Sequence, residues 1–176
     1  DLRIETEEID DPGPGQALVA VAAGGICGSD LHYLSDGGIG TIRVREPIIL
    51  GHEASGRVIA VGEGVDWLSP GTGIAINPSR PCGACAYCVE GLPMHCLNMR
   101  FNGSAIRLPH EQGLFRDRIV VDAAQCIPLA EDADLGAVAQ RGAQPAAAAC
   151  VEIHDQLAGC RCRGIQPFTQ FEHRQN

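Results

Sequence analysis

Gly24-Gly25-Ile26-Cys27-Gly28-Ser29-Asp30-Leu31-His32-Tyr33 opens, and Leu50-Gly51-His52-Glu53 closes, the stretch from which the rest of this chain is read. A thiol, a hydroxyl, a carboxylate and an imidazole are crowded between Cys27 and His32, and a second imidazole and carboxylate follow at His52 and Glu53. Cys27 and His52 are soft and borderline ligands of the kind zinc prefers. Ser29 and His32 suit the passage of a proton between a bound hydroxyl and water. Taken singly, a Cys or His is more often a core residue than a ligand, and Ser29 and Asp30 read as a turn or a helix cap. The weight lies in the combination, set among glycines.

Outward from this stretch the chain reads as short strands. Ala17 to Ala23 is a buried strand that delivers the chain to Cys27, and Gly56 to Val61 carries it away from His52. Gly62-Glu63-Gly64 and Ser69-Pro70-Gly71 are turns, and Gly73 to Ile76, Leu114 to Val121 and Cys126 to Leu129 are further strands. Leu2 to Ile9 alternates apolar and polar residues, which suits an exposed strand. Asp11-Pro12-Gly13-Pro14-Gly15 is a turn and Asp36-Gly37-Gly38-Ile39-Gly40 a loop. The 176 residues include 22 Gly and 11 Pro but only 4% aromatics, so a core of Val, Ile, Leu and Ala under many turns is expected. The fold class is therefore mainly β, a small barrel or sandwich. Asp132 to Ala149 is Ala-rich and reads as helical, with Gly142 and Pro145 interrupting it.

Residues 77–112 break this pattern, being rich in Pro, Gly, Asn and Cys. They form an irregular lobe that something other than a core must hold. Cys82, Cys85, Cys88 and Cys96 give the spacing C-x2-C-x2-C-x7-C, which suits four thiolates around one tetrahedral zinc. Disulfides and an iron–sulfur cluster stay open as alternatives, although cysteines three apart rarely meet disulfide geometry and the usual cluster spacing ends differently. A closed four-cysteine site has no open position, so its metal would be structural.

Net charge is −9, which argues against nucleic acid and anionic membranes as partners. No apolar run is long enough to span a membrane. All 13 basic residues are Arg. An odd number of cysteines, 9, with four in one cluster points to metal and a reducing, cytoplasmic setting rather than a disulfide scaffold.

Gly25-Ile-Cys-Gly-Ser-Asp-Leu-His, Leu50-Gly-His-Glu and the four-cysteine lobe, in that order, resemble the zinc-dependent medium-chain alcohol and polyol dehydrogenases. The resemblance covers roughly residues 1–139. Ala75-Ile-Asn-Pro-Ser-Arg-Pro-Cys-Gly and Met99-Arg-Phe-Asn-Gly-Ser-Ala resemble L-idonate 5-dehydrogenases more than sorbitol or alcohol dehydrogenases. The resemblance implies a GroES-like, partly open β-barrel over residues 1–139. It implies Cys27 and His52 as catalytic zinc ligands and Glu53 as an alternate ligand. The last two share a metal only if the chain turns between them, because adjacent strand residues point to opposite faces. Ser29 matches the hydroxyl at the substrate alcohol, His32 the proton-relay imidazole and Asp30 the carboxylate that orients the zinc-bound His. Two zincs, one catalytic and one structural, and hydride transfer to NAD(P) are implied, with a sugar acid or polyol as the substrate. Arg43, Arg45, Arg100 and Arg107 are candidates for a substrate carboxylate. His95, His110, His154 and His173 read as ordinary surface or loop histidines.

Beyond residue 139 the resemblance fades. The nicotinamide-binding (Rossmann) half that follows in such dehydrogenases has no counterpart, since no G-x-G-x-x-G occurs. Gln144-Pro145 stands where a Glu-Pro pair supplies a further zinc ligand in the polyol group, and Cys150, Cys160 and Cys162 fit no motif. Residues 140–176 are expected to be a degraded or disordered tail, and the chain by itself is expected to lack turnover. The alternatives are a zinc-binding fragment without catalysis, a sorbitol-, threonine- or alcohol-dehydrogenase-like member, and an assembly module like the chaperonin cofactors that share the barrel. Full-length relatives are expected to form homo-oligomers.

Overall fold

The computed structural model describes residues 2–140. In chain order the strands are β1 (Gln16–Gly25), β2 (Gly38–Ile39), β3 (Ile42–Arg43), β4 (Glu53–Val61), β5 (Gly73–Ile76), β6 (Ser79–Arg80), β7 (Arg100–Phe101), β8 (Arg118–Asp122) and β9 (Cys126–Pro128). Helices α1 (Gly28–Ser35), α2 (Ala86–Val89) and α3 (Leu135–Gln140) join them, with 3-10 turns at Pro93–His95 and Ala123–Gln125. Five strands form one antiparallel sheet in the order β8-β1-β4-β5-β9, and β2–β3 and β6–β7 are small two-stranded pairs. The main sheet is open at β8 and β9, giving the partly open barrel architecture expected.

The core lies on the inner face of that sheet. Val19, Ile74, Ile76 and Leu114 are fully buried, with Ala17, Ala54, Val58, Ile119 and Val121 around them. Each buried aliphatic side chain of this size contributes about 1.5–3 kcal/mol, so an aromatic-poor sequence still fills a core. The β1–β4 register shifts twice, between Leu18 and Val19 and between Val21 and Ala23, which coils the pair. The two backbones come close at Gly56, where a Cβ would lie 2.1 Å from the Ala20 carbonyl oxygen. Helix α3 packs on β1, β4 and β5, and Ser55 Oγ donates to Leu135 O at 2.5 Å.

Several elements depart from the sequence expectation. Leu2 to Ile9 forms no strand; Leu2, Ile4 and Ile9 are all exposed, because no neighbour offers the segment a ladder or a buried face. The strand expected from Leu114 begins only at Arg118. Residues 113–115 spend their N–H groups on Ile49, Gly51 and Leu50 carbonyls instead, at 2.7–3.0 Å. Gly38–Ile39, read as loop, pairs with Ile42–Arg43 as a hairpin. The helix α1 was not anticipated as a helix. Of the helix expected over 132–149, Leu135–Gln140 is formed; the remainder, like the tail to residue 176, lies outside the described residues.

Candidate active site and metal centre

The antiparallel register of β1 and β4 assembles the site. Gly25 pairs with Glu53 and Gly24 with Ala54, so Cys27, just past the end of β1, meets His52, just before the start of β4. A ligand atom from each of Cys27, His52 and Glu53 lies within 4.8 Å of the others. Gly51, at φ +90°, turns the chain just before His52, and His52 lies outside β4, so strand alternation does not bind the His52–Glu53 pair. A Cβ on Gly51 would also press 2.3 Å from the Phe115 ring, so only glycine suits the position. The Phe101 ring sits 5.6 Å from the His52 ring, centroid to centroid, on another side. Glu53 lies over Gly25, where a Cβ would come within 2.4 Å of its Oε2.

Asp30 ties the two ligand-bearing segments together. It is 2% exposed. Its Oδ2 accepts the Cys27 N–H at 2.9 Å, in the manner of a helix N-terminal box, and its Oδ1 accepts the Gly51 N–H at 2.9 Å. His52 Nδ1 is 3.7 Å from Oδ1, an electrostatic contact rather than a hydrogen bond. The carboxylate therefore fixes the backbones that carry Cys27 and His52 more directly than it fixes the imidazole.

Helix α1 carries the hydroxyl and the second imidazole. Cys27, at φ −91° and ψ 158°, is its N-cap, and Asp30 and Tyr33 form its buried side. Tyr33 Oη accepts the Ala105 N–H at 3.2 Å, docking the helix against the segment after β7. Ser29 and His32 are three apart and share a face. His32 is exposed, and its Nδ1 lies 2.8 Å from Asp36 Oδ2. The hydrogen bond from His32 holds the Asp36 carboxyl below its usual range, helped by Ser35 and by the charge of Arg43. His32, Asp36, Gly38–Gly40 and Arg43 line one cleft of about 340 Å³.

The four lobe cysteines converge as their spacing suggests. All four Sγ atoms lie within 4.8 Å of one another. Cys85 Sγ is 3.5 Å from Cys88 Sγ and 3.9 Å from Cys96 Sγ. Those separations exceed a disulfide bond, and they match the edge of a tetrahedron of thiolates around zinc, about 3.8 Å for ~2.3 Å bonds. The six described cysteines are free thiols. Backbone N–H groups point into the cluster: Cys82 N donates to Cys96 Sγ at 3.2 Å, Cys85 N to Cys82 Sγ at 3.4 Å and Asn98 N to Cys96 Sγ at 3.3 Å. The N–H groups of Ala84 and Cys85 hold the Cys82 thiol down at about 6, while burial and the neighbouring thiols push Cys88 up to about 12. Crowded thiols that cannot all ionise together are what a divalent cation relieves. The donor set fits zinc. Strands β6 and β7 pair at the base of the lobe, with Ser79 opposite Phe101 and Arg80 opposite Arg100.

The model of the alcohol dehydrogenase GroES-like domain matches residues 13–131. The chain belongs to that family. Among curated proteins, the L-idonate 5-dehydrogenase (NAD(P)(+)) of Escherichia coli K12 is 42% identical over 167 residues, 93% of this chain and 48% of its own length. The sorbitol dehydrogenase of Gallus gallus is 48% identical over 91 residues, 52% of this chain and 26% of its own. The crystal structure of the Escherichia coli K-12 L-idonate 5-dehydrogenase superposes with a TM-score of 0.67 at 44% identity, covering 72% of this chain and 36% of that one. The chain thus spans about half the length, or less, of the relatives it matches.

Within this GroES-like domain, some residues that shape the site carried no clear signal in the sequence. Asp36 becomes visible only once α1 is known to be a helix, four residues after His32. His110 is not the surface or loop histidine expected: it is 5% exposed, its Nε2 accepts the Arg45 N–H at 2.9 Å, and its Nδ1 donates to Arg107 O at 2.7 Å. His110 N also donates to Glu46. His95 is exposed as expected; His154 and His173 lie outside the described residues. Of the four arginines considered for a carboxylate, Arg100 donates from Nε to buried Glu111 at 2.6 Å, and Arg107 donates from Nε to Met99 O at 3.1 Å. Arg80 also pairs with Glu111. Arg43 stands in the cleft with His32.

Proposed function

We propose that this domain serves a zinc-dependent oxidoreductase that oxidises a secondary hydroxyl of a sugar acid or polyol, with NAD(P) as hydride acceptor. The observation that carries this reading is the convergence of Cys27, His52 and Glu53 at the β1–β4 junction, beside a helix that bears Ser29 and His32. Cys27, His52 and Glu53 would hold a zinc ion, whose Lewis acidity would lower the pKa of an alcohol hydroxyl. Ser29 takes the hydroxyl proton into a hydrogen bond and His32 accepts it, the exposed ring then releasing it to water. Asp30 keeps Cys27 and His52 in register through its two N–H acceptances. Cys82, Cys85, Cys88 and Cys96 would hold a second zinc that ties the 77–112 lobe together and, having no open position, would take no part in chemistry.

Arg43 supports a sugar acid within this class. Arg100 is paired with buried Glu111, whereas the Arg43 guanidinium, held among the described residues only by a bond to the Ile42 carbonyl, lines the cleft beside His32. The names of the relatives support both L-idonate and sorbitol as substrates to test. The described residues contain no G-x-G-x-x-G fingerprint for a pyrophosphate. Residues 1–139 are taken as the functional domain, working in the cytoplasm where thiols stay reduced, with full-length relatives forming homo-oligomers. No helix among the described residues is long and apolar enough to cross a membrane.

The test is to load the chain with zinc and supply NAD+ or NADP+ with L-idonate or sorbitol. The chain by itself is expected to lack turnover, whereas in a full-length relative replacing the Arg that matches Arg43 with Ala should raise KM for L-idonate but not for sorbitol. A folded chain with two zincs bound that neither binds nicotinamide nor turns over would sink any claim of activity by this chain alone. It would then be a zinc-binding domain without catalysis.

A further inference from the structure

Ser29, His32 and Asp36 follow one another at spacings of three and four along α1 and its C-cap, so they form a single stripe on the helix surface. The stripe ends at a carboxylate on Nδ1 of the imidazole, at 2.8 Å, rather than on Nε2. Nε2 has no hydrogen-bond partner among the described residues. Asp36 is itself held in place: its other oxygen, Oδ1, is 2.9 Å from Ser35 Oγ, and its N–H donates to His32 O at 2.9 Å. Across the cleft, β3 presents Arg43, whose Nη1 donates to Ile42 O at 3.3 Å; its side chain lies over Gly38, where a Cβ would come within 2.6 Å of Nη1. Asp36 and Arg43 are thus the charged groups that face His32 from its own helix and from the neighbouring hairpin.

We propose that Asp36 is a positioning residue that holds His32 as its Nδ1–H tautomer, leaving the Nε2 lone pair free to accept a proton along the Ser29–His32 path. This rests on the reading of His32 as proton acceptor given above. The chemistry requires the choice of nitrogen. An imidazole with its proton on Nε2 cannot accept there until that proton has gone, whereas an Nδ1–H imidazole accepts at once. When the alcohol O–H bond breaks, the electron pair stays on the alcohol oxygen. Ser29 hands on the proton, a new N–H bond forms at Nε2, and the imidazolium keeps its Nδ1–H on the Asp36 carboxylate. With 60% of the ring exposed, Nε2–H then gives its proton to water. An exposed pair four apart on a helix adds little to stability, so the contribution of Asp36 is read in the tautomer rather than in the unfolding curve.

Long-range 1H–15N correlation spectra of the zinc-loaded, 15N-labelled full chain read the tautomer directly, at a pH where His32 is neutral. Wild type should show a protonated Nδ1 and a bare Nε2. Asp36→Ala should invert the dominant form to Nε2–H, which an unconstrained histidine favours. Asp36→Asn, whose amide oxygen still accepts, should keep Nδ1–H. Backbone amide spectra matching wild type show that both variants are folded. An Nε2–H wild type, or a tautomer indifferent to Asp36→Ala, overturns the proposal. The underlying reading is tested apart from it in a full-length relative: turnover unchanged by His→Gln at the position matching His32 would remove that imidazole from the proton path, whatever the tautomer.

Discussion

Asp30 is the residue whose replacement should cost most for its size. Its two oxygens each accept one backbone N–H, from Cys27 and from Gly51, and it is 2% exposed. A buried N–H stripped of its acceptor costs about 1–3 kcal/mol, and somewhat more when the acceptor was charged. Asn keeps one acceptor oxygen and turns an NH2 group toward the other N–H, so Asp30→Asn should lose one bond, about 2 kcal/mol. Ala keeps neither acceptor, and Asp30→Ala should lose about 4 kcal/mol, a large share of the ~5–15 kcal/mol that holds a domain together. With a urea slope of about 2 kcal/mol/M, the midpoint should fall by roughly 1 M for Asn and 2 M for Ala. The two N–H groups belong to the segments that carry Cys27 and His52, so zinc should fall as well. Each variant should keep the four-cysteine zinc and lose most of the other. Urea unfolding followed by circular dichroism, with elemental analysis of chelator-washed protein, checks both arms. Equal midpoints for Asn and Ala would show that the two acceptances are not independent bonds. A wild-type midpoint and two zincs in Asp30→Ala would refute the reasoning altogether.

Three further outcomes follow from the geometry. Wild type should hold two zincs per chain and Cys85→Ser one, because Cys85 Sγ sits within 3.5–3.9 Å of two other thiols in a closed site; two zincs in the variant would mean that the lobe site is not where the lost ion binds. Gly51→Ala places a Cβ at φ +90° and against Phe115, and should destabilise by at least about 2 kcal/mol while releasing one zinc, measured by thermal unfolding and metal content. In zinc-free protein, Cys82 is held down at about 6 and Cys126 is pushed up by burial to about 11. At pH 8 Cys82 should therefore be mostly thiolate and Cys126 a thiol, so iodoacetamide mapped by mass spectrometry should label Cys82 early and Cys126 last, with Cys126 labelling rising only as the pH nears 11.

The two candidate metal sites are not equally legible in the sequence, and the reason is physical. The lobe cysteines come from one segment, so C-x2-C-x2-C-x7-C already specifies their convergence. Cys27 and His52 come together only because β1 ends and β4 begins on paired residues, Gly25 and Glu53. Nothing in the local pattern of either strand encodes that register, and it reached the sequence reading through resemblance. The strands that failed did so for want of partners. Leu2 to Ile9 has the right alternation but no neighbour, and Leu114 and Phe115 precede β8 but are strapped to Gly51 and Leu50. Helix α1 is not evident in the sequence because Cys27-Gly28-Ser29-Asp30 reads equally well as a turn, which also hides the relation of His32 to Asp36.

That difference bears on what each site requires. A lobe closed by its own segment needs only its cysteines and the β6–β7 base, so its zinc should survive changes in the main sheet. The Cys27–His52 site has no such independence. It depends on the β1–β4 register, on the Gly51 turn, on the strap from residues 113–115 and on one buried carboxylate that reads the two strand ends against each other. A substitution anywhere in that set moves one ligand relative to another, and a zinc site tolerates only about 0.2 Å of such movement. Damage to the sheet should therefore appear first as loss of the catalytic-type zinc, with the four-cysteine zinc retained, and a chain that lost the two in the opposite order would not be organised around the β1–β4 junction.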